Sequence, residues 1–272
     1  MNRRKPLKRS RNFMLKPKVC ILRSAGTNCD RETAAAFEVA GGLPQLLHIN
    51  SLVGKERRLD EFQILALPGG FSYGDDVASG KILANELRFK LADHLRQFIA
   101  DGKLIIGICN GFQILVKSGL LPGNSEWKQE ASLIINDSAK FEDRWVYLKP
   151  TGRCVWTRGL KQAIYLPVAH GEGKFVAQDK RLINRLKINQ QVVFQYSDPA
   201  GRLTGYPDNP NGSTANIAGI CDPTGRIMGL MPHPERHIFK MQHPRHTGAG
   251  MQKYGDGLQI FKNGVDYIKK HF

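Results

Sequence analysis

Residues 104–115 read "LIIGICNGFQIL", an apolar run that meets a cysteine with a glycine two residues away on either side. "KLIIGI" (103–108) is apolar throughout its centre, the pattern of a strand buried on both faces of a parallel sheet. A helix-like pattern follows at once, so Cys109 falls where a strand turns into a helix. In open parallel sheets ligands gather at the carboxyl ends of the strands. The stretch therefore predicts the fold class and places one thiol at the edge where chemistry happens.

The same rhythm extends outward in both directions. "VCILR" (19–23), "QLLHI" (45–49) and "FQILALP" (62–68) read as strands, and "RETAAAFEVAGG" reads as a helix stopped by Gly41 and Gly42. "VASGKILANELRFKLADHLRQFIADG" has helical periodicity and ends at Gly102. Strands alternating with helices predict an α/β, doubly wound, mostly parallel sheet. From about residue 131 to 230 the pieces turn short and β-like: "WVYLKP", "CVWT", "AIYLPVA", "KFVAQ", "VVFQY", "IAGICD" and "IMGLMPH". The second half is thus expected to be β-rich, until "DGLQIFKNGVDYIKK" lines Leu258, Phe261, Val265 and Ile268 along one helical face. With no internal repeat and no long linker, residues 19–272 read as one domain behind a tail, 1–18.

Composition narrows the function classes. The chain has 272 residues and a formal net charge of +16. Residues 1–18 carry eight Lys or Arg and no acid, leaving 32 basic against 24 acidic residues elsewhere. Half the excess is a tail, and with Met14 just before the first strand the tail also fits an upstream start codon. A solvated, disordered extension is favoured over RNA binding, since no RNA-binding signature or zinc pattern accompanies it. No apolar run approaches the roughly 20 residues of a membrane span, and no secretory signal pattern is present. Cysteines at 20, 29, 109, 154 and 221 form no CxxC pair. An odd count without a signal favours a reducing cytoplasm, where a cysteine can be a reagent.

A G-x-C-x-G turn is the thiol counterpart of the G-x-S-x-G nucleophile elbow, although it also fits an ordinary tight turn around a structural cysteine. A helix N-terminus favours the thiolate there. Cys29 follows a strand in a similar way, but Asp30 adjoins it and opposes a thiolate; Cys20, Cys154 and Cys221 lie in apolar, strand-like runs and read as core. Cys109 is the candidate nucleophile. "LMPHPERH" (230–237) supplies a base, His233, and an orienting carboxylate, Glu235. Two residues apart, they share a side of an extended segment that Pro232 and Pro234 keep from becoming helix. A metal set of His233, His237, His243 and His246 is the competing reading, but no ligand spacing supports it and none is expected. "LALPGGFSYGDD" puts Gly69 and Gly70 after a strand at the same edge. Glycines there let backbone N–H groups reach a tetrahedral intermediate, with the N–H of Asn110 as second donor.

These motifs together resemble the class I glutamine amidotransferases. "GTNCD", "LPGGFSYGDD", "GICNGFQIL", "GLLPG", "PVAHGEGKF", "IAGI" and "GLMPHPER" further resemble the glutaminase-subunit (PurQ) family of phosphoribosylformylglycinamidine synthase, over residues 19 to about 270. The resemblance implies a flavodoxin-like fold and a triad of Cys109, His233 and Glu235. It implies an oxyanion hole from the N–H groups of Gly70 and Asn110. Gln113, His170 and Gly171 would hold the substrate, glutamine. It also implies a large synthetase partner (PurL-type) that uses ATP and Mg, and a small third subunit (PurS-type), with no cofactor in this chain. Phe71–Asp76 is left open between pocket and partner surface. The basic tail and "FKMQHPRHTGAGMQKYG" (239–255) depart from compact relatives. A peptidase-like cysteine hydrolase and a basic nucleic-acid binder are the alternatives.

Overall fold

The computed structural model describes residues 16–75, 78–247 and 253–272, so most of the basic tail, Asp76 and part of 239–255 lie outside the described residues. The first strand, β1 (Lys18–Arg23), is followed by α1 (Asp30–Val39), β2 (Leu43–His48), α2 (Ile49–Val53) and β3 (Ile64–Leu67). Then come α3 (Lys81–Lys90), α4 (Ala92–Ala100), β4 (Leu104–Ile108) and α5 (Asn110–Lys117). The second half adds β5 (Ala131–Ile134), β6 (Glu142–Pro150), β7 (Ile164–His170), β8 (Lys174–Ala177), α6 (Lys180–Ile188) and β9 (Val192–Ser197). It closes with β10 (Ile217–Cys221), β11 (Ile227–Leu230) and α7 (Leu258–His271).

Nine strands form one sheet in the order β2-β1-β3-β4-β11-β10-β9-β6-β7. The first five pair in parallel, and from β11 onward each neighbour is antiparallel. β5 and β8 make a separate antiparallel pair. The doubly wound half and the β-rich half expected from the sequence are therefore two ends of one sheet. β4 sits at its middle with Leu104, Ile105, Ile106 and Ile108 each 0% exposed. Each such side chain contributes roughly 1.5–3 kcal/mol of burial, which fixes the strand that carries Cys109. α7 buries Leu258, Phe261, Val265 and Ile268 as its periodicity predicts, with Phe261 edge-on to Phe37 of α1.

Three local expectations are corrected. "CVWT" is not a strand: residues 151–163 form turns. Trp156 is buried with Nε1 donating to the Arg226 carbonyl (3.0 Å), while Cys154 is half-buried in a turn rather than in the core. Within the β-like stretch, 180–188 is instead helix α6, capped by Asp179, whose side chain accepts from the Leu182 N–H. The long helical stretch before Gly102 is two helices, broken at Leu91. No helix among the described residues is long and apolar enough to cross a membrane.

Candidate active site

The register of β3, β4 and β11 brings three motifs to one edge. Leu67 pairs with Gly107, and Leu230 pairs with Ile108. Pro68-Gly69-Gly70, Cys109 and Met231-Pro232-His233 therefore leave the sheet side by side. The Cys109 N–H donates to the Leu230 carbonyl (2.8 Å) and the His233 N–H to the Pro167 carbonyl (2.8 Å), which fixes the nucleophile and the histidine relative to β11 and β7.

Cys109 has φ +52° and ψ −107°, a conformation L-residues rarely adopt, and it is the residue from which α5 starts. Its flanking glycines are required by contact. A Cβ at Gly111 would stand 1.9 Å from the Leu67 carbonyl oxygen, and one at Gly107 would stand 2.5 Å from that of Gly111. The strain thus persists because α5 is pressed onto β3, and all of α5 is buried. The Cys109 Sγ faces the Ala169 carbonyl oxygen at 3.8 Å.

His233 and Glu235 meet through a turn rather than an extended segment. Pro234–Arg236 is a 3₁₀ turn with proline at its first position, a place where the missing N–H costs nothing. The result is a buried pair, His233 Nδ1 to Glu235 Oε1 2.7 Å. The Nε2 of His233 is buried without a hydrogen-bond partner among the described residues and is the nitrogen left for the thiol. Burial disfavours the imidazolium, but the Glu235 carboxylate and the sulfurs of Cys109 and Cys29 outweigh it and hold the ring well above its usual pKa.

A pocket of about 210 Å³ opens onto Cys109 and His233, between Gly70, Gln113, His170 and Arg236. That is below the roughly 300–1,000 Å³ of drug-sized sites and suits a small ligand. The N–H groups of Gly70 (φ +141°) and Asn110 have no acceptor among the described residues. The Asn110 side chain is held by the Ser72 hydroxyl and N–H, and its Nδ2 donates to Gln113 Oε1 (2.9 Å). Gln113 Nε2 in turn donates to the Glu172 carbonyl (2.7 Å), tying the nucleophile helix to the segment after β7. Phe71 and Asp75 also line the pocket.

His170 lies over Gly173, where a Cβ would stand 2.4–2.7 Å from its ring atoms, so the last glycine of "AHGEG" exists to seat this ring. Burial, then the positive charge of His233, push the His170 pKa down to about 4, so it is neutral at pH 7. Its Nδ1 faces Asn136 Oδ1 at 3.2 Å, an oxygen that also accepts from the Gly173 N–H (3.0 Å), while Asn136 Nδ2 donates to the His170 carbonyl (2.8 Å). The Gly171 carbonyl accepts from the Asn136 N–H at 2.9 Å.

A profile of the CobB/CobQ-like glutamine amidotransferase domain matches residues 16–268. The chain belongs to this glutamine amidotransferase family. Among curated relatives, phosphoribosylformylglycinamidine synthase subunit PurQ of Dehalococcoides mccartyi is 51% identical over 94% of this chain and 100% of its own. The protein of that name from Archaeoglobus fulgidus is 42% identical over 93% of this chain and 97% of its own. Among solved structures, a chain of PurLQS from Thermotoga maritima superposes with a TM-score of 0.71 at 32% identity, covering 93% of this chain and 100% of that one.

The amidotransferase site holds residues that sequence reasoning sets aside or misses. The sequence makes Asp30 an obstacle to a Cys29 thiolate, but Asp30 turns away to Arg23 (3.2 Å). The Cys29 Sγ instead lies 4.0 Å from His233 Nδ1 and accepts from Arg236 Nη2 at 3.1 Å. Burial raises the Cys29 thiol pKa, with the Glu235 charge adding to that and His233 and Arg236 opposing it. The donor atoms of Cys29, His233 and Glu235 lie within 4.8 Å of one another, but the Arg236 guanidinium against the sulfur opposes a metal cation there. His237 Nδ1 donates to the Tyr165 carbonyl (2.7 Å), and both it and His243 pack on Trp145. Asn136 carries no signal in spacing, whereas Arg236 stands next to Glu235 in "HPER".

Proposed function

We propose that this chain is the glutaminase subunit of phosphoribosylformylglycinamidine synthase, hydrolysing glutamine to glutamate and ammonia for a synthetase subunit in purine biosynthesis. The observation that carries the reading is the strained Cys109 at the head of α5 beside the buried His233–Glu235 pair, in a chain 51% identical to a protein of that name.

The Cys109 thiolate attacks the carboxamide carbon of glutamine, and the oxygen that becomes negative is met by the N–H groups of Gly70 and Asn110. Neither donor has an acceptor among the described residues, which supports this role. Collapse expels nitrogen as ammonia with a proton from His233, leaving a γ-glutamyl thioester on Cys109. His233, now neutral, takes a proton from water, which attacks the thioester and releases glutamate. Glu235 keeps the imidazole oriented and favours its charged form. Gln113 helps form the glutamine pocket, and His170 and Gly171 meet the amino-acid end of the substrate, supported by their place on the pocket wall.

The ammonia goes to a PurL-type synthetase that uses ATP and Mg to form the amidine, assembled with a small PurS-type subunit. This chain itself needs no cofactor. The likeness of this chain to one from PurLQS of Thermotoga maritima supports such a complex. We place the protein in the cytoplasm, in keeping with five cysteines that are all free thiols. Replacing Cys109 by Ala in the assembled complex tests the reading. Glutamine-dependent synthesis is expected to vanish while ammonia-dependent synthesis continues; loss of both would make Cys109 a structural residue.

A further inference from the structure

The mechanism uses one thiol, yet a second buried thiol borders the same histidine. Cys29 stands at the head of α1, its N–H donating to the Gly69 carbonyl (3.2 Å), so its position is tied to the strand end that flanks Cys109. Gly69 separates the two cysteines only by backbone. A Cβ placed on it would stand 3.2 Å from Cys29 Sγ, 3.4 Å from Cys109 Cβ and 2.8 Å from His233 Cε1. The missing side chain therefore leaves one small gap that both cysteines and the imidazole border. With no Cβ on Gly69, no side chain stands between the Cys29 sulfur on one side of this gap and Cys109 Cβ on the other.

The surroundings also distinguish the two sulfurs. Both cysteines line the pocket, but Cys109, 7% exposed, is the more open of the two and stands beside an imidazole, a setting in which thiols react with peroxide. Cys29 is 1% exposed, with Arg236 Nη2 donating to its sulfur and Asn28 Oδ1 at 3.2 Å. It is the less open of the two to a bulk oxidant, and a guanidinium stands by to stabilise its thiolate as it attacks a neighbour.

We propose that Cys29 and Cys109 form an oxidant-modification site in which Cys29 resolves an oxidised Cys109. This rests on the reading of Cys109 as the activated nucleophile. A hydroperoxide such as hydrogen peroxide transfers one oxygen to the Cys109 sulfur, giving the sulfenic acid and water. The Cys29 sulfur then attacks the Cys109 sulfur. The S–O bond breaks, and the departing hydroxide takes the proton lost by Cys29 and leaves as water. The product is a Cys29–Cys109 disulfide, inactive but recoverable by thiol exchange, in place of a sulfinic acid that thiols cannot reduce.

The test exposes the purified full chain to hydrogen peroxide and maps its peptides by mass spectrometry without reduction. It then measures glutaminase activity in the synthetase complex before oxidation, after it, and after dithiothreitol. The expected result is a cross-linked pair of peptides holding Cys29 and Cys109, lighter by two hydrogens, with most activity restored by dithiothreitol. In Cys29→Ala, with activity expressed against its own starting value, the restored fraction should fall several-fold as Cys109 accumulates as sulfinic acid. The proposal is overturned if wild-type Cys109 goes to sulfinic acid without the cross-link, if the cross-link forms only between Cys154 and Cys221, or if Cys29→Ala recovers like wild type. The wild-type map decides alone should Cys29→Ala fail to fold. Failure of the glutaminase reading would look different, as unoxidised complex releasing no glutamate from glutamine, and the cross-link is read by mass whatever the activity.

Discussion

Gly69→Ala isolates the geometry of the catalytic pair from the fold around it. Gly69 is not among the residues with positive φ, so alanine suits its backbone, and it does not line the pocket wall. The added methyl meets His233 Cε1 at 2.8 Å, and the nearest alternatives are the two cysteines. Carbon atoms rest about 3.5–4.0 Å apart, so the imidazole must move by about 0.7 Å. A misplacement near 1 Å can cost about 10²-fold in rate, so kcat for glutamine hydrolysis should fall about 10- to 100-fold, or roughly 1.4–2.7 kcal/mol of barrier. Overpacking should cost about 1–3 kcal/mol of stability, which a domain stable by roughly 5–15 kcal/mol survives. The assay is glutamate release by the complex, with KM, the thermal midpoint and ammonia-dependent synthesis measured on the same samples. The expected pattern is a lower kcat with KM and ammonia-dependent synthesis unchanged. An unchanged kcat, or a loss that merely follows unfolding, would refute the steric reasoning.

Two of the buried histidines, His170 and His233, predict opposite pH limbs of stability. For His170 the folded pKa, about 4, lies below the ordinary value near 6.5, so the unfolded chain binds the proton more readily. Stability attributable to it is lost as pH falls from about 6.5 to 4, by up to about 3 kcal/mol, and His170→Gln should flatten that limb in denaturant titrations. His233 is shifted the other way, burial being outweighed by Glu235 and the two sulfurs. Its contribution is complete below its unfolded pKa and is lost as pH rises through the raised folded value. Glu235→Gln should shrink this alkaline loss, measured as the difference in unfolding free energy between pH 6 and pH 9.

The centre of the parallel half was legible because β1, β3 and β4 are buried on both faces. In β4, where no face meets water, nearly every residue must be apolar, and the glycines at its end announce a crowded turn. The site followed, since three such ends lie side by side. α6 was hidden because only Leu182 and Leu186 are fully buried, too few to show a helical period, although Asp179 offered a cap. The 151–163 turns looked like a strand because their apolar run is drawn inward around Trp156, whose Nε1 donates to the Arg226 carbonyl and whose own carbonyl accepts from Asn263 Nδ2, within a chain of turns rather than a ladder. For Cys29 the sequence names the wrong cause: burial rather than Asp30 raises its thiol pKa, since the helix start directs the Asp30 carboxylate to Arg23. Asn136 was illegible because its two partners, His170 and Gly173, are more than thirty residues away.

The central claim is that the sulfur of Cys109 takes the glutamyl group from glutamine. The direct measurement is acid quenching of the complex during turnover, followed by mass spectrometry of the Cys109 peptide. The account predicts that this peptide alone becomes heavier by one glutamyl group, through a bond that hydroxylamine cleaves, and that the adduct persists longer when Glu235 is replaced by Gln. An unmodified Cys109 in a complex that is turning over glutamine, or the adduct on Cys29, would contradict it.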